Sequence, residues 1–469
     1  MRPARPVHHP YPAVSVAGQP PRPPLALAIC ALVLSWCSPL AARCVDEALV
    51  ESSQEAPARP VATDQDPRTT LQTLVREALG RSHQVGAARL LAEAALDDVE
   101  VTRADKRIQA GVGAGLGPDL ATTRQLGTES TALQLRTNIS ASQLLYDGGR
   151  TDRLTDWRTQ LAESARYGQL TAQEQLALNT VSLALERSRY RQQVVVYGQY
   201  VRKMACLVEA LETIVRADRG RASELVQARK SQQQAELSLS QAQSQVRQVE
   251  TRLRRLVGDG LPSVGGLPSL LLTVPDLQTL VAEVEQSSEI AGLTAQAQAA
   301  DHYAQSVQAA GKPQLSWNLN GTHANGGGGT RGPTRYGTFA VGLALSVPLL
   351  SPGLAPATDA ARKRARAAEM QRAEAVELRR FRVAEVHEQT TSSFDRARRV
   401  GAVLRDSEQV RNFTLQQWQQ LGRRSLFDVM GAEGEHYNLR INYVNALHDG
   451  QQLNANLLSL GRGVNEWLR

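Results

Sequence analysis

The sequence predicts an all-α protein with a membrane β component: short amphipathic strands feed helices of unusual length, and the whole set occurs twice in tandem. Three observations carry this prediction. From Leu133 to Ser142, Leu133, Leu135, Thr137, Ile139 and Ala141 alternate with Gln134, Arg136, Asn138, Ser140 and Ser142. A period of two over about ten residues suits a strand with lipid on one face and water on the other. From Arg150 to Val215 there is no proline, and Gly168 and Gly198 are isolated glycines. At about 1.5 Å per residue such a helix spans roughly 100 Å. Landmarks then recur about 200 positions downstream, as an internal duplication requires.

Composition agrees with an elongated helical chain. Aromatic residues are only 4% of the 469, and the net charge of +7 is spread along the chain. A nucleic-acid surface would gather that charge into a patch, so no nucleic-acid partner is expected. Cys30, Cys37, Cys44 and Cys206 form no CxxC pair, so neither a zinc site nor a disulfide framework is indicated. Cys206 reads as a small buried apolar residue.

Residues 1–42 read as an export signal, with Arg2, Arg5 and Arg22 preceding an apolar run from Leu25 to Leu34 and cleavage expected after Ala42. Arg43 before Cys44 and Trp36 before Cys37 lack the small residue that a lipid-attachment signal needs before its cysteine. Residues 43–66 read as a flexible lead. The first repeat spans 67–258, a Gly- and Pro-rich linker 259–275, the second repeat 276–463, and a short tail 464–469. Beyond the signal no apolar run is long enough for a membrane helix, which leaves a β-barrel as the one way to cross a bilayer.

Within the first repeat, apolar spacing predicts a helix from Pro67 to about Arg107. A strand follows at Ile108–Leu116, then a polar loop over Pro118–Ser130 and the strand described above. The long helix ends at a turn, Ala217-Asp218-Arg219-Gly220. The return helix, Ser223–Val257, places Leu225, Ala228, Gln232, Ala235, Leu239, Ala242, Val246, Val249, Leu253 and Leu256 at alternating spacings of three and four, a heptad seam. The second repeat restarts at Leu277-Gln278-Thr279-Leu280-Val281, which repeats Leu71-Gln72-Thr73-Leu74-Val75 206 positions on; Gly353 follows Gly149 by 204, and Gly422 follows Gly220 by 202.

Two strands per repeat give four per chain. Four lipid-facing strands cannot close a barrel, and open sheet edges are not tolerated in hydrocarbon. Several chains must therefore combine; a homotrimer gives a twelve-stranded barrel wide enough for a water-filled lumen, continued by the helices as a coiled-coil tube. Tyr146, Trp317 and Tyr336 fall near strand ends, where an interfacial aromatic girdle would lie.

This arrangement resembles the TolC family of outer-membrane channels over residues 67 to about 463. The resemblance is carried by the elbow Leu144-Leu145-Tyr146-Asp147-Gly148-Gly149-Arg150 and by two glycine-led tips, Gly220-Arg221-Ala222-Ser223-Glu224-Leu225-Val226 and Gly422-Arg423-Arg424-Ser425-Leu426-Phe427-Asp428-Val429. It implies a trimer in the outer membrane with its helices in the periplasm, a periplasmic adaptor (membrane fusion protein) and an inner-membrane transporter, here of the ABC type. Arg424 and Asp428 match positions that hold the family's periplasmic gate shut. Gly431 and Gln419 replace an Asp and a Tyr often found there. Gly220, Arg221, Gly422 and Arg423 fall at the adaptor-docking tips, and Gly220 and Gly422 read as turn glycines tolerating positive φ. Asp147, Gly148, Gly149, Pro352 and Gly353 form the strand–helix elbows. Without the family, Arg424 and Asp428 read as helix-end caps.

No catalytic constellation, cofactor or metal site is expected. The run Gly326–Gly329 is not followed by Gly-Lys-Ser/Thr, His387-Glu388 lacks a second zinc-binding His, and no Gly-x-Ser-x-Gly occurs. The expected function is an outer-membrane exit channel for type I secretion of a toxin or adhesin. Efflux of drugs or metals is the alternative, and a pore-free coiled-coil stalk is the rival from another class.

Overall fold

The computed structural model describes residues 66–123, 128–261, 266–327, 334–421 and 423–469. The expected signal segment, most of the lead and Gly422 lie outside these. The elements run α1 (Pro67–Arg81), α2 (His83–Ala104), β1 (Gln109–Thr123), β2 (Thr128–Tyr146), α3 (Arg150–Ala217), α4 (Ala222–Val257), α5 (Leu277–Glu283), α6 (Ser288–Ala309), β3 (Gln314–Gly327), β4 (Thr334–Ser346), α7 (Leu354–Leu421), α8 (Leu426–Leu460) and α9 (Val464–Leu468). The duplication is visible in lengths: α2 and α6 have 22 residues each, and α3 and α7 have 68 each.

The first helix is divided rather than continuous. Ser82 adopts an extended conformation, and its hydroxyl accepts from the Val85 N–H at 3.2 Å, so it caps α2 and breaks the run. The second repeat breaks at the same place, where Ser287 follows a 3-10 turn over Val284–Gln286.

All four strands form one antiparallel sheet in the order β1-β2-β3-β4. The described part of the expected loop Pro118–Ser130 is strand: Pro118 faces Leu133 and Thr123 faces Thr128. Backbone pairing satisfies donors and acceptors whatever the side chains, so the hairpin outruns its apolar alternation. Within the single chain Pro118 stands on an edge strand of the sheet.

Among the described residues the buried apolar side chains form separate clusters rather than one thick core. Midway along α3, roughly 50 Å from the sheet at about 1.5 Å per residue, Leu71, Leu74, Val181, Leu185, Val249 and Leu253 pack together with Leu267 from the inter-repeat segment and with Val464 and Leu468 of α9. Leu280, Val284, Ile290, Val383 and Leu457 form the matching cluster of the second repeat. At the other end of the long helices Met204, Leu207, Leu211, Ala228, Leu426 and Val429 are buried together. Along α4 the seam is half used within one chain: Ala228, Ala235, Ala242 and Val249, at every seventh position, are buried against α3. Cys206 is half-buried on α3.

The segment after α4 is tied down. Gln451 donates to the carbonyls of Leu267, Pro268 and Leu270, and Asn454 to those of Leu271 and Thr273. Two amides on α8 thus satisfy five backbone acceptors of an irregular stretch.

Candidate functional site

The sheet has two chemically distinct faces, and register assigns each residue to one of them. Val112, Ile139, Gly321 and Phe339 lie in one row, as do Ala110, Ala141, Leu319 and Val341. This face carries Leu116, Leu133, Leu135, Leu343 and Leu345, all exposed in the single chain. The opposite face carries Gln134, Arg136, Asn138, Ser140, Asn318, Asn320, Thr322 and Thr338 in the alternate rows. On β1 that face includes Gly111, Gly113, Gly115 and Gly117. Asn138 explains one of them, because a Cβ at Gly113 would meet its Oδ1 at 2.5 Å.

Register separates the three aromatic residues expected in the girdle. A bulge between Leu144 and Tyr146 brings Tyr146 opposite Leu315 on the apolar face. Trp317 stands on that face too, its Nε1 donating to Gln143 Oε1 at 3.0 Å. Tyr336 lies in the row of Ala324 and Arg136, on the polar face, and its hydroxyl meets the Arg136 guanidinium at 3.4 Å. Alternation alone could not assign Tyr336, because its face depends on the partner strand.

The two elbows are built differently. At the first, Gly148 and Gly149 have φ of +68° and +85°. The buried Asp147 carboxylate accepts from the Gly149 N–H at 3.0 Å and the Thr151 N–H at 2.6 Å. Burial pushes its pKa up, but the Thr151 and Gly149 bonds and Lys106 outweigh this and hold it below the usual aspartate value. At the second elbow, the Leu354 N–H bonds to the Ser351 carbonyl at 3.0 Å. Gly353 has no positive φ and no neighbour within 4 Å of a Cβ. Pro352 presets the backbone there instead, and the residues from Arg335 to Gly353 are exposed along the chain's edge.

At the first tip Gly220 sits in a 3-10 turn, Arg219–Arg221, without positive φ. The expectation of a left-handed glycine is therefore wrong. Its N–H bonds to Asp218 Oδ1 at 2.9 Å, and that oxygen would lie 3.1 Å from a Cβ, so small size is what the turn requires. Arg221 pairs with Glu224 at 3.0 Å. At the second tip Arg423 N–H bonds to the Gln417 carbonyl, and Arg424 donates from Nε to Gln417 Oε1 at 3.2 Å. Asp428 and Ser425 form a capping box at the start of α8: Asp428 N–H donates to Ser425 Oγ, and Asp428 Oδ2 accepts from Ser425 N–H. Arg424 and Asp428 are both exposed, and within the chain each bonds to other groups rather than to its fellow.

Sequence reading missed the charged groups buried between helices. Glu250 binds Arg187 at 2.9 Å and Arg191 at 2.7 Å; burial raises its pKa, and the two arginines more than offset that. Near the tips, the fully buried Glu433 lies 3.6 Å from Lys203 Nζ. His436 is held neutral at pKa about 4 by burial and by Arg411 and Arg440. These contacts join distant parts of the chain, so no local spacing announces them. Among the described residues no helix is long and apolar enough to cross a membrane, and no group of three His, Cys, Asp or Glu could hold a metal.

The family model described as outer membrane efflux protein matches residues 74–259. The structure superposes on CusC, described as a transmembrane channel, with a TM-score of 0.74 at 18% identity, covering 84% of this chain and 92% of that one. A membrane protein from Pseudomonas aeruginosa gives 0.74 at 18%, covering 85% and 91%. The outer membrane protein VceC from Vibrio cholerae gives 0.71 at 19%, covering 84% and 97%. No curated protein matches by sequence. The first repeat is thus similar to the outer membrane efflux protein family, and over about 84% of its length the chain shares the fold of CusC and VceC.

Proposed function

We propose that three copies of the chain form a passive exit duct through the outer membrane, with the helices as a tube in the periplasm. One observation carries this reading: a four-stranded sheet, apolar on one face and polar on the other, whose edge strands β1 and β4 have no further strand partner among the described residues. Unpaired edges are excluded from hydrocarbon. The apolar side chains of β2 from Leu133 to Tyr146 rise about 30 Å at a strand tilt of about 40°, against a lipid-facing band of about 25 Å in outer-membrane barrels.

The internal repeat supplies the mode of closure. Strand β2 of the first repeat pairs with β3 of the second, so β4 pairs with β1 of the next copy. In the same way α3 packs on α6 and on α8 within the chain, and α7 packs on α2 and α4 of the next copy. The exposed Leu90, Leu96 and Val101 of α2 and Met370, Leu378 and Phe381 of α7 are the surfaces available for this contact.

At the far end Arg424 and Asp428 of three copies ring the closed periplasmic mouth. An adaptor docks on the tips at Gly220–Arg221 and at Gly422–Arg423, linking the duct to an inner-membrane transporter. Two services fit this duct. Efflux is favoured by the family description of the first repeat; type I secretion through an ABC transporter is favoured by Arg43 before Cys44, where lipidated efflux channels carry a small residue. A heat-modifiable trimer in membrane extracts, with single-channel conductance in planar bilayers, is expected. Recovery only from the soluble fraction would sink the reading. Loss of protein export, as against loss of drug or metal resistance, in a deletion strain separates the two services.

A further inference from the structure

We propose that Arg136 makes the barrel lumen selective for anions, so that the duct favours anionic solutes or anionic segments of its cargo. The proposal rests on the barrel reading above, in which the polar face of the sheet lines the lumen. Among the residues of that face whose side chains are described, Arg136 is the only charged one; the remainder are Gly, Ala, Ser, Thr, Asn, Gln, Tyr and Leu144 beside the bulge. Its guanidinium is held by two neighbours on the same face: Gln134 Oε1 at 3.1 Å, on a side chain that is itself buried, and Tyr336 Oη at 3.4 Å. Both partners are neutral, so they orient the cation and leave its charge uncompensated. No ion pair with Arg136 occurs among the described residues. Directly across from it β1 has Gly115 and β3 has Ala324, which leaves the space in front of the guanidinium open. The one acidic residue sharing these rows is Asp119, opposite Ala132, two rows further from the elbow.

Three copies bring three such cations around one axis. Rings of Arg or Lys are how anion-conducting pores are lined, since a small anion passing them exchanges water for fixed positive charge. At the level of Arg136 and in the rows from there to the elbow the described lumen-facing side chains are otherwise uncharged, so this ring sets the sign of the local potential.

The test is the reversal potential of purified trimers in planar bilayers of neutral lipid under a KCl gradient, with citrate added on the barrel side as a polyanionic blocker. The wild type is expected to favour chloride and to be blocked by citrate. Arg136→Gln should lower the chloride-to-potassium permeability ratio about threefold or more and weaken the block, and Arg136→Glu should reverse the preference. Tyr336→Phe and Arg136→Lys, which loosen the brace and keep the charge, should retain wild-type selectivity. Asp119→Asn should leave the preference for chloride intact. Conducting trimers of Arg136→Gln and Arg136→Glu with wild-type reversal potential and citrate block would overturn the proposal while leaving the channel reading intact; wild-type protein that forms no conducting trimer would overturn both.

Discussion

Lys312, at the end of α6 in the second repeat, lies across Gly148 in the elbow of the first, its Nζ donating to the Gly148 carbonyl at 2.9 Å. A Cβ at Gly148 would sit 2.4 Å from the Lys312 Cβ, and the residue has φ of +68°. One position thus combines a left-handed backbone with a contact between repeats. Gly148→Ala is expected to cost about 2 kcal/mol, from the αL penalty together with the displaced lysine stem. Gly353→Ala, at the equivalent bend but with ordinary φ and open space, should change stability by less than about 0.5 kcal/mol. Thermal melting of the purified variants checks the contrast, and equal losses would contradict it.

The carboxylate beside that glycine makes stability depend on pH. Asp147 has a folded pKa below the usual aspartate value, so its contribution is present above the unfolded value and is lost as pH falls through the depressed folded one. Wild type should therefore lose more stability than Asp147→Asn between about pH 5 and pH 2. Above that window the aspartate should be the more stable of the two. Parallel melting curves across the range would show that the bonds to Gly149 and Thr151 do not depend on the charge.

The internal repeat also fixes an expected register between copies. Within one chain Ile139 of β2 faces Gly321 of β3. Gly353 follows Gly149 by 204 positions, and β1 and β3 begin 205 apart. Carrying Ile139 forward by 204 and Gly321 back by 205 gives Leu343 facing Leu116 of the next copy, two leucines that are exposed in the single chain. In a chain whose native cysteines are replaced, Leu116→Cys with Leu343→Cys should form dimers and trimers linked by disulfides on non-reducing gels. Moving one cysteine by a single residue reverses its face and should abolish the crosslink.

Much of this was legible before any coordinates, for identifiable reasons. Alternation through Leu133, Leu135 and Ile139 exposes the strand because a membrane face tolerates few exceptions. The long helices announce themselves through missing prolines, and Gly149 and Gly353 mark equivalent bends. What stayed hidden depends on partners distant in sequence. Tyr336 could not be assigned a face without its pairing to Ala324. Gln451 and Asn454 hold the segment between repeats through bonds spanning more than 180 residues. The elbows share a position in the duplication yet use different chemistry, since two positive-φ glycines serve the first and Pro352 the second. Ser82, by contrast, was local: a serine followed three residues later by the bonded Val85 amide is an ordinary helix start, overlooked because apolar spacing continues across it.

The second tip offers the sharpest separation of structural and gating roles. Ser425 and Asp428 cap α8 reciprocally, so removing either side chain should cost about 1 kcal/mol of helix-end stability. If Asp428 does no more than cap, Ser425→Ala and Asp428→Ala will lower stability alike and leave the conductance of the closed trimer unchanged. A gate of charged groups requires something different: Asp428→Ala and Arg424→Ala should both raise single-channel conductance several-fold, because like charges near the axis are stable only when paired or solvated. Ser425→Ala, which keeps both charges, should not. Conductance rising in all three variants would trace opening to fraying of α8 rather than to a lost ion pair, and conductance unchanged in all three would remove Arg424 and Asp428 from the gate.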